Sequence, residues 1–315
     1  MTPPPGSTAF EPLNAFCVDL EDWFHSFGIR SPYEDPRTWN DAPSCVVADT
    51  ETLMRMLDDA GIRGTFLALG WIGERHPDLI RRLAREGHEI GCHTHYHRLV
   101  FELTPEEFEA DIARSLAVLR DVSGQPVDTF RAPGFSIRET ETWAFPILRR
   151  HGITVDLSIV PARRDHGGMT SFTREPCIIR TTEGDIRCIP NPVMTLLGRR
   201  VPFAGGGYLR LFPQWLLADG FTENHSANRA CVTYIHPRET NVSQPRLPRP
   251  PLWRARELIK YQKYYVNLHT TAAKLVFLLT RFKFGPVNAL LPDIVHWPIQ
   301  TVAPLAASPK HSHDR

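Results

Sequence analysis

The pentapeptide HTHYH places three imidazoles, His93, His95 and His97, at alternate positions directly behind a segment that reads as a strand. Four more stretches put polar groups where a predicted strand ends: Asp19 with Glu21 and Asp22, Arg131 with Pro133, Asp156, and His236 before Pro237. A first-row metal held by two imidazoles and one carboxylate keeps positions open for water and substrate, and so can generate hydroxide near neutral pH. Zinc suits this donor set foremost, and Co2+, Ni2+ and Mn2+ are compatible with it. A surface histidine cluster or an acidic helix cap would account for any one of these stretches alone, but not for their occurrence together.

The elements between them must bring these ends to one place. NAFCVDL reads as a strand that closes on carboxylates, and DTETLMRMLDDAG as a helix with Leu53, Met56, Leu57 and Ala60 on one face and Gly61 as its stop. GTFLALG is the next strand. PDLIRRLAREG opens a helix on Pro77 and closes it on Gly87. TPEEFEADIARSLAVLRDVSG starts with Thr104, Pro105 and Glu107 in the form of a capping box and runs to Gly124. VDTFRAP is a strand, ETETWAFPILRRHG a helix that Pro146 is expected to kink, and ITVDLSIVP another strand. Repeated β-α units of this length imply a parallel sheet or a barrel, in which C-terminal strand ends meet at one face.

After about residue 160 the rhythm breaks into turn-rich sequence, where ACVTYIH is the one confident strand, and residues 254–280 return to helical periodicity. The expected organisation is a disordered stretch over 1–12, one catalytic domain over 13–290 whose C-terminal extension begins near 160, and a mostly irregular tail over 291–315.

Composition narrows the class. With 315 residues, 42% of them apolar, the chain can bury a large core. Its 36 basic and 35 acidic side chains nearly cancel, so no global field recruits nucleic acid, although Arg246, Arg249, Arg254 and Arg256 form a local basic patch. The longest dense apolar run, Leu275 to Leu279, is far short of the roughly 20 residues of a membrane span. The first residues show neither the basic start nor the apolar stretch of a secretory signal, which makes a cytoplasmic location the expectation. Six cysteines without a CxxC pair read as free, mostly buried thiols, with Cys177–Cys188 a minor candidate for a disulfide. No GxSxG, Walker-type phosphate loop or dinucleotide fingerprint is present.

VDLEDWF, HTHYH, RAPGFS, VDLS and YIHP, in this order, resemble the five motifs of the polysaccharide deacetylase (NodB-homology, carbohydrate esterase 4-like) family over roughly residues 14–240. VDLEDWFH, GGGYLRL and KYYVNLHTTAAKLVFLLTRFKF resemble more narrowly the subgroup of exopolysaccharide loci, which carries a C-terminal extension. The resemblance implies an α/β fold, a distorted β/α barrel of about seven strands with an elaborated C-terminal half. It also implies metal-dependent removal of acetyl groups from N-acetylated sugars.

Position by position, His93 and His97 match the two histidine ligands, Thr94 the small hydroxyl position after the first, and His95 is extra to the pattern. The commonest first motif has two adjacent aspartates, and this chain departs from it. Asp19 is taken as the general base and Asp22 as the carboxylate ligand, with Glu21 the rival for either role; strand alternation sets Asp19 and Glu21 on one face and Asp22 on the other unless the strand has already ended. Arg131 matches the arginine that holds the base, His236 the general acid, and Asp156 the carboxylate that orients or tunes His236. Pro133 and Gly134 shape a loop. The backbone of Gly205, Gly206 and Gly207 can approach a sugar or an oxyanion, and Trp23, Trp39, Trp71 and Tyr208 are candidates for stacking on sugar rings, with core packing the commoner use of such rings.

The expected substrate is an N-acetylated oligo- or polysaccharide: an exopolysaccharide intermediate, a lipid-linked oligosaccharide, a chitooligosaccharide of the nodulation-signal type, or peptidoglycan. Two other readings use the same residues. One is hydrolysis of another non-peptide C–N bond, a ureide or cyclic amide, and the other is a glycan-binding module without catalysis. Oligomeric state has no sequence signal.

Overall fold

The computed structural model describes residues 12–164, 166–248, 255–291 and 297–301. Its strands are β1 (Asn14–Leu20), β2 (Thr65–Ala68), β3 (Glu89–Cys92), β4 (Thr129–Phe130), β5 (Val155–Asp156), β6 (Cys177–Thr181), β7 (Gly184–Cys188), β8 (Val193–Leu196), β9 (Arg199–Pro202), β10 (Val232–Ile235), β11 (Phe284–Gly285) and β12 (Ile299–Thr301). The helices are α1 (Val46–Asp59), α2 (Gly70–Arg75), α3 (Pro77–Arg85), α4 (Pro105–Ser123), α5 (Ala144–Arg150), α6 (Gly206–Leu211), α7 (Gln214–Ser226), α8 (Ala255–Tyr265) and α9 (Thr271–Arg281).

Strands β10, β1, β2, β3, β4, β5 and β7 lie side by side, each parallel to the next, which is the α/β architecture and the seven-strand count expected. The described strands form an open sheet rather than a closed ring: β6 and β12 extend it beyond β7, and β11 pairs with β1. β1 is buried along its whole length, as a strand covered on both faces must be. A common direction puts the ends of β1, β2, β3, β4, β5 and β10 at one edge. The ladder continues past two of them, with His93 N–H donating to Ala68 O at 2.9 Å and Arg131 N–H to Cys92 O at 3.1 Å. Residues just beyond the strands are therefore placed almost as firmly as those within.

Local signals account for most helices. Thr104 and Glu107 form the reciprocal capping box at the start of α4, and Gly124 ends it at φ 65°. Pro146 does not kink a long helix. It stands in the first turn of α5, where no intrahelical N–H is needed, and the residues before it form a separate 3₁₀ turn. Residues 254–280 divide at Asn267, which is left-handed at φ 54°, into α8 and α9.

The sequence reading missed the antiparallel hairpin of β6 and β7. Its register sets Cys177 opposite Cys188, yet both thiols are free and buried, as are Cys17, Cys92 and Cys231, while Cys45 is free and half-buried. The expected disordered N-terminus and most of the expected irregular tail fall outside the described residues, as do Arg249 and Arg254. Within that tail, β12 pairs with β6. No described helix is long and apolar enough to cross a membrane.

Candidate active site

The strand edge carries a cavity of about 200 Å³ whose lining includes Asp19, Glu21, His25, His93, His97, Gly134, Gly206, Gly207, Tyr264 and His236. Glu21, His93 and His97 each offer a donor atom within 4.8 Å of the others. His93 Nδ1 donates to Arg131 O at 2.7 Å, the partner that leaves Nε2 as a bare lone pair for a cation. Burial foremost, with His97 beside it, lowers the His93 imidazole to about 4, so it is neutral and able to ligate at pH 7. Glu21 Oε2 sits 2.7 Å from His97 Nε2 but outside hydrogen-bonding geometry, so the two atoms converge on a common point. Burial opposes ionisation of Glu21, yet His97 and His236 hold its carboxyl well below the usual range. These residues fit a divalent ion. The loop that aims them is strained, with Thr94 at φ 70° and His97 at φ 52°, and is tied by Thr94 Oγ1 accepting from His97 N–H at 3.2 Å.

Asp22 is not brought to the histidines. Its carboxylate accepts from Ser44 Oγ at 2.6 Å, Cys45 N–H at 3.1 Å and Trp23 N–H at 2.9 Å. Cys45 precedes α1 without capping it, so Asp22 serves as a remote acceptor for the first turn of that helix. β1 has ended at Leu20, and the chain turns so that Glu21 enters the cavity and Asp22 leaves it.

Asp19 faces the same cavity. Arg131 Nη1 donates to its Oδ1 at 2.5 Å, and Arg131 is fully buried. His236 Nε2 lies 3.0 Å from Glu21 Oε1 and 4.0 Å from Asp19 Oδ2. Asp156 does not orient His236. It accepts from Ser158 Oγ at 2.6 Å and Ser158 N–H at 3.0 Å, and burial raises its carboxyl to about 6.

The partner of His236 is Glu239, which the sequence reading passed over. Its Oε2 accepts from His236 Nδ1 at 2.9 Å and from His236 N–H at 3.0 Å, and Arg210 of α6 pairs with its other oxygen. Burial resists the charge on Glu239, but Arg210 and then His236 keep it ionised. Burial likewise opposes a charge on His236, yet Glu21 and Glu239 raise the imidazole to about 10. The signal was available as an acid three residues after His236 with Pro237 between them, the form of a helix start. Glu239→Gln is expected to destabilise the fold by about 3 kcal/mol, because Arg210 keeps a buried, uncompensated charge, and to slow turnover, as read by thermal melting and kcat.

Gly206 and Gly207 line the cavity, whereas Pro133 and Tyr208 stand outside its lining. Tyr208 packs against Phe212 with ring centroids 5.9 Å apart. Gly205 has a packing reason: a Cβ there would stand 2.1 Å from Tyr234 O. His95 points away from the donor group and is buried, its Nε2 3.8 Å from Glu74. His25, also overlooked, accepts from Asp22 N–H through Nδ1 at 3.0 Å, which leaves the proton on Nε2; that N–H has no acceptor among the described residues. Trp23, Trp39 and Trp71 are buried in an aromatic cluster around Phe24 and His25.

Residues 37–155 match the family described as polysaccharide deacetylase, and residues 157–292 match one described as domain of unknown function (DUF3473). A peptidoglycan-N-acetylglucosamine deacetylase of Bacillus cereus is 28% identical over 146 residues, 44% of this chain and 52% of the relative. Chitin deacetylase 1 of Saccharomyces cerevisiae is 28% identical over 141 residues, 45% of this chain and 42% of the relative. The chain thus spans about half the length of these curated relatives. Among solved structures, the peptidoglycan deacetylase PdaC of Bacillus subtilis aligns over 90% of this chain and 91% of its own at 13% identity, with a TM-score of 0.42. His93, His97 and Arg131 lie inside the first family match, whereas Asp19 and Glu21 precede it and His236 and Glu239 fall in the second.

Proposed function

We propose that this chain, which belongs to the polysaccharide deacetylase family through residues 37–155, is a metal-dependent N-deacetylase acting on an N-acetylated oligo- or polysaccharide. The observation that carries the reading is the convergence of the Glu21, His93 and His97 donors, with Asp19 and His236 beside them in one cavity. A divalent ion held there, of the zinc, cobalt, nickel or manganese class, would polarise an acetamide oxygen and acidify a water.

The chain's own residues supply the rest. Asp19, fixed by Arg131, takes a proton from the attacking water; the water oxygen bonds to the carbonyl carbon; His236 delivers a proton to the nitrogen as the C–N bond breaks. Acetate and a free amino sugar leave. Glu239 and Arg210 hold the His236 ring in position for that transfer. Gly206 and Gly207 form the part of the wall that a sugar ring can approach closely.

The favoured substrate is a glucosamine-type chain of an exopolysaccharide or chitooligosaccharide, supported by the motifs VDLEDWFH and GGGYLRL and by relatives named for peptidoglycan and chitin. The test is hydrolysis of a panel of N-acetylglucosamine oligomers, peptidoglycan fragments, ureides and cyclic amides, read as acetate released from the glycans and as ammonia or new carboxylate formed from the small amides. Turnover of the oligomers is expected; turnover of the small amides alone would replace this reading with the other C–N hydrolase.

A further inference from the structure

A second depression, of about 640 Å³, lies behind the active-site wall. It is built by the 3₁₀ segment Pro36–Asp41, α2, the loop after β3 and α4, so three of its four sides follow the C-terminal ends of β1, β2 and β3. Only a layer of rings separates it from the cavity. His25 lines the cavity and Trp71 lines the groove, with ring centroids 5.5 Å apart, and Trp39 packs on both at 4.2 and 5.3 Å. Tyr96, which also lines the groove, immediately precedes the donor His97.

The groove is cationic after its internal pairs are discounted. Arg37 is matched by Asp35 at 2.6 Å, and Arg114 by Glu74 at 3.0 Å. Arg75 has no ion-pair partner among the described residues. Arg98 reaches Glu107 only at 3.8 Å, and that carboxylate also accepts from the Thr104 N–H of the α4 cap. Two guanidinium groups thus face an aromatic floor without a close carboxylate of their own. A guanidinium presents a planar fork that binds a carboxylate through two parallel hydrogen bonds.

We propose that this groove is a subsite for a carboxylate-bearing sugar, a uronate flanking the N-acetylated residue in the same glycan, held by Arg75 and Arg98. The proposal rests on the deacetylase reading for what occupies the neighbouring cavity, and names the substrate as an anionic heteropolymer. Anchoring the uronate would position the adjacent acetamide over the Glu21, His93 and His97 donors.

The experiment compares two tetrasaccharides of equal length, one all N-acetylglucosamine and one alternating N-acetylglucosamine with glucuronate. Binding to the Asp19→Asn protein is measured by calorimetry, and acetate release is followed with the wild type. The alternating oligomer is expected to bind about ten-fold tighter, in keeping with one charge-assisted contact, to lose that advantage in Arg75→Ala/Arg98→Ala, and to lose it in high salt. Acetate release from the neutral oligomer by Arg75→Ala/Arg98→Ala is expected to stay at the wild-type rate. Equal binding of the two oligomers, or a preference that survives the double substitution, overturns the subsite. Arginine-dependent binding without acetate from either oligomer supports the subsite and defeats the deacetylase reading instead.

Discussion

Glu21→Ala is expected to abolish metal retention and to lower acetate release by more than about 100-fold, the upper end of what loss of a mere outer partner of a ligand costs. The effect is large because, among the described residues, three donors converge at the site, and Glu21 is the carboxylate among them. Its removal leaves His93 and His97 to hold the ion alone, and takes from His236 the nearest of its acidic neighbours in the cavity, at 3.0 Å. The informative control is the adjacent acid. Asp22→Asn is expected to keep metal and turnover while costing about 1–2 kcal/mol of stability, because its carboxylate caps the start of α1 through Cys45 N–H. Metal content by elemental analysis, together with thermal melting, separates the two variants. The reverse pattern would return the ligand role to Asp22.

Asp19→Asn is expected to reduce kcat by about 10²–10⁴-fold, the usual span for a lost general base, with metal content unchanged. The amide oxygen can still accept from Arg131, so the side chain stays near its place, but it cannot take the proton of water. A second consequence follows from burial. Arg131 is fully buried, and its ion-pair partner is Asp19, so neutralising Asp19 leaves an uncompensated interior charge worth about 3–5 kcal/mol. The variant should therefore melt at a lower temperature while still binding metal. Retention of wild-type kcat would remove Asp19 from the chemistry and leave it only a structural partner of Arg131.

The strand ends explain how much of this site could be read in advance. Asp19, His93, Arg131 and His236 each stand within one residue of the end of a parallel strand, where direction alone brings them to one edge. Glu21 against Asp22 was not decidable, because β1 ends before either of them and the turn that follows depends on a hydrogen bond between Asp22 N–H and His25 Nδ1. Asp156 took the role of tuner of His236 from the resemblance of VDLS to the family motif, yet Ser158 satisfies it locally. Glu239 takes that part because a one-turn helix after Pro237 folds it back onto the imidazole. Arg210 was invisible for the opposite reason: its contact with Glu239 spans 29 residues and depends on α6 packing where no periodic signal points. The hairpin of β6 and β7 was hidden by short strands with mixed burial, whereas the fully buried β1 and the capped α4 announced themselves.

The central claim, that Glu21, His93 and His97 hold a catalytic divalent ion, is tested most directly by stripping the wild-type protein with a chelator and titrating metal back. Acetate release from an N-acetylglucosamine oligomer is expected to vanish on stripping and to return in proportion to metal bound, saturating near one ion per chain. Full turnover by the stripped protein, or metal uptake that restores nothing, would contradict it.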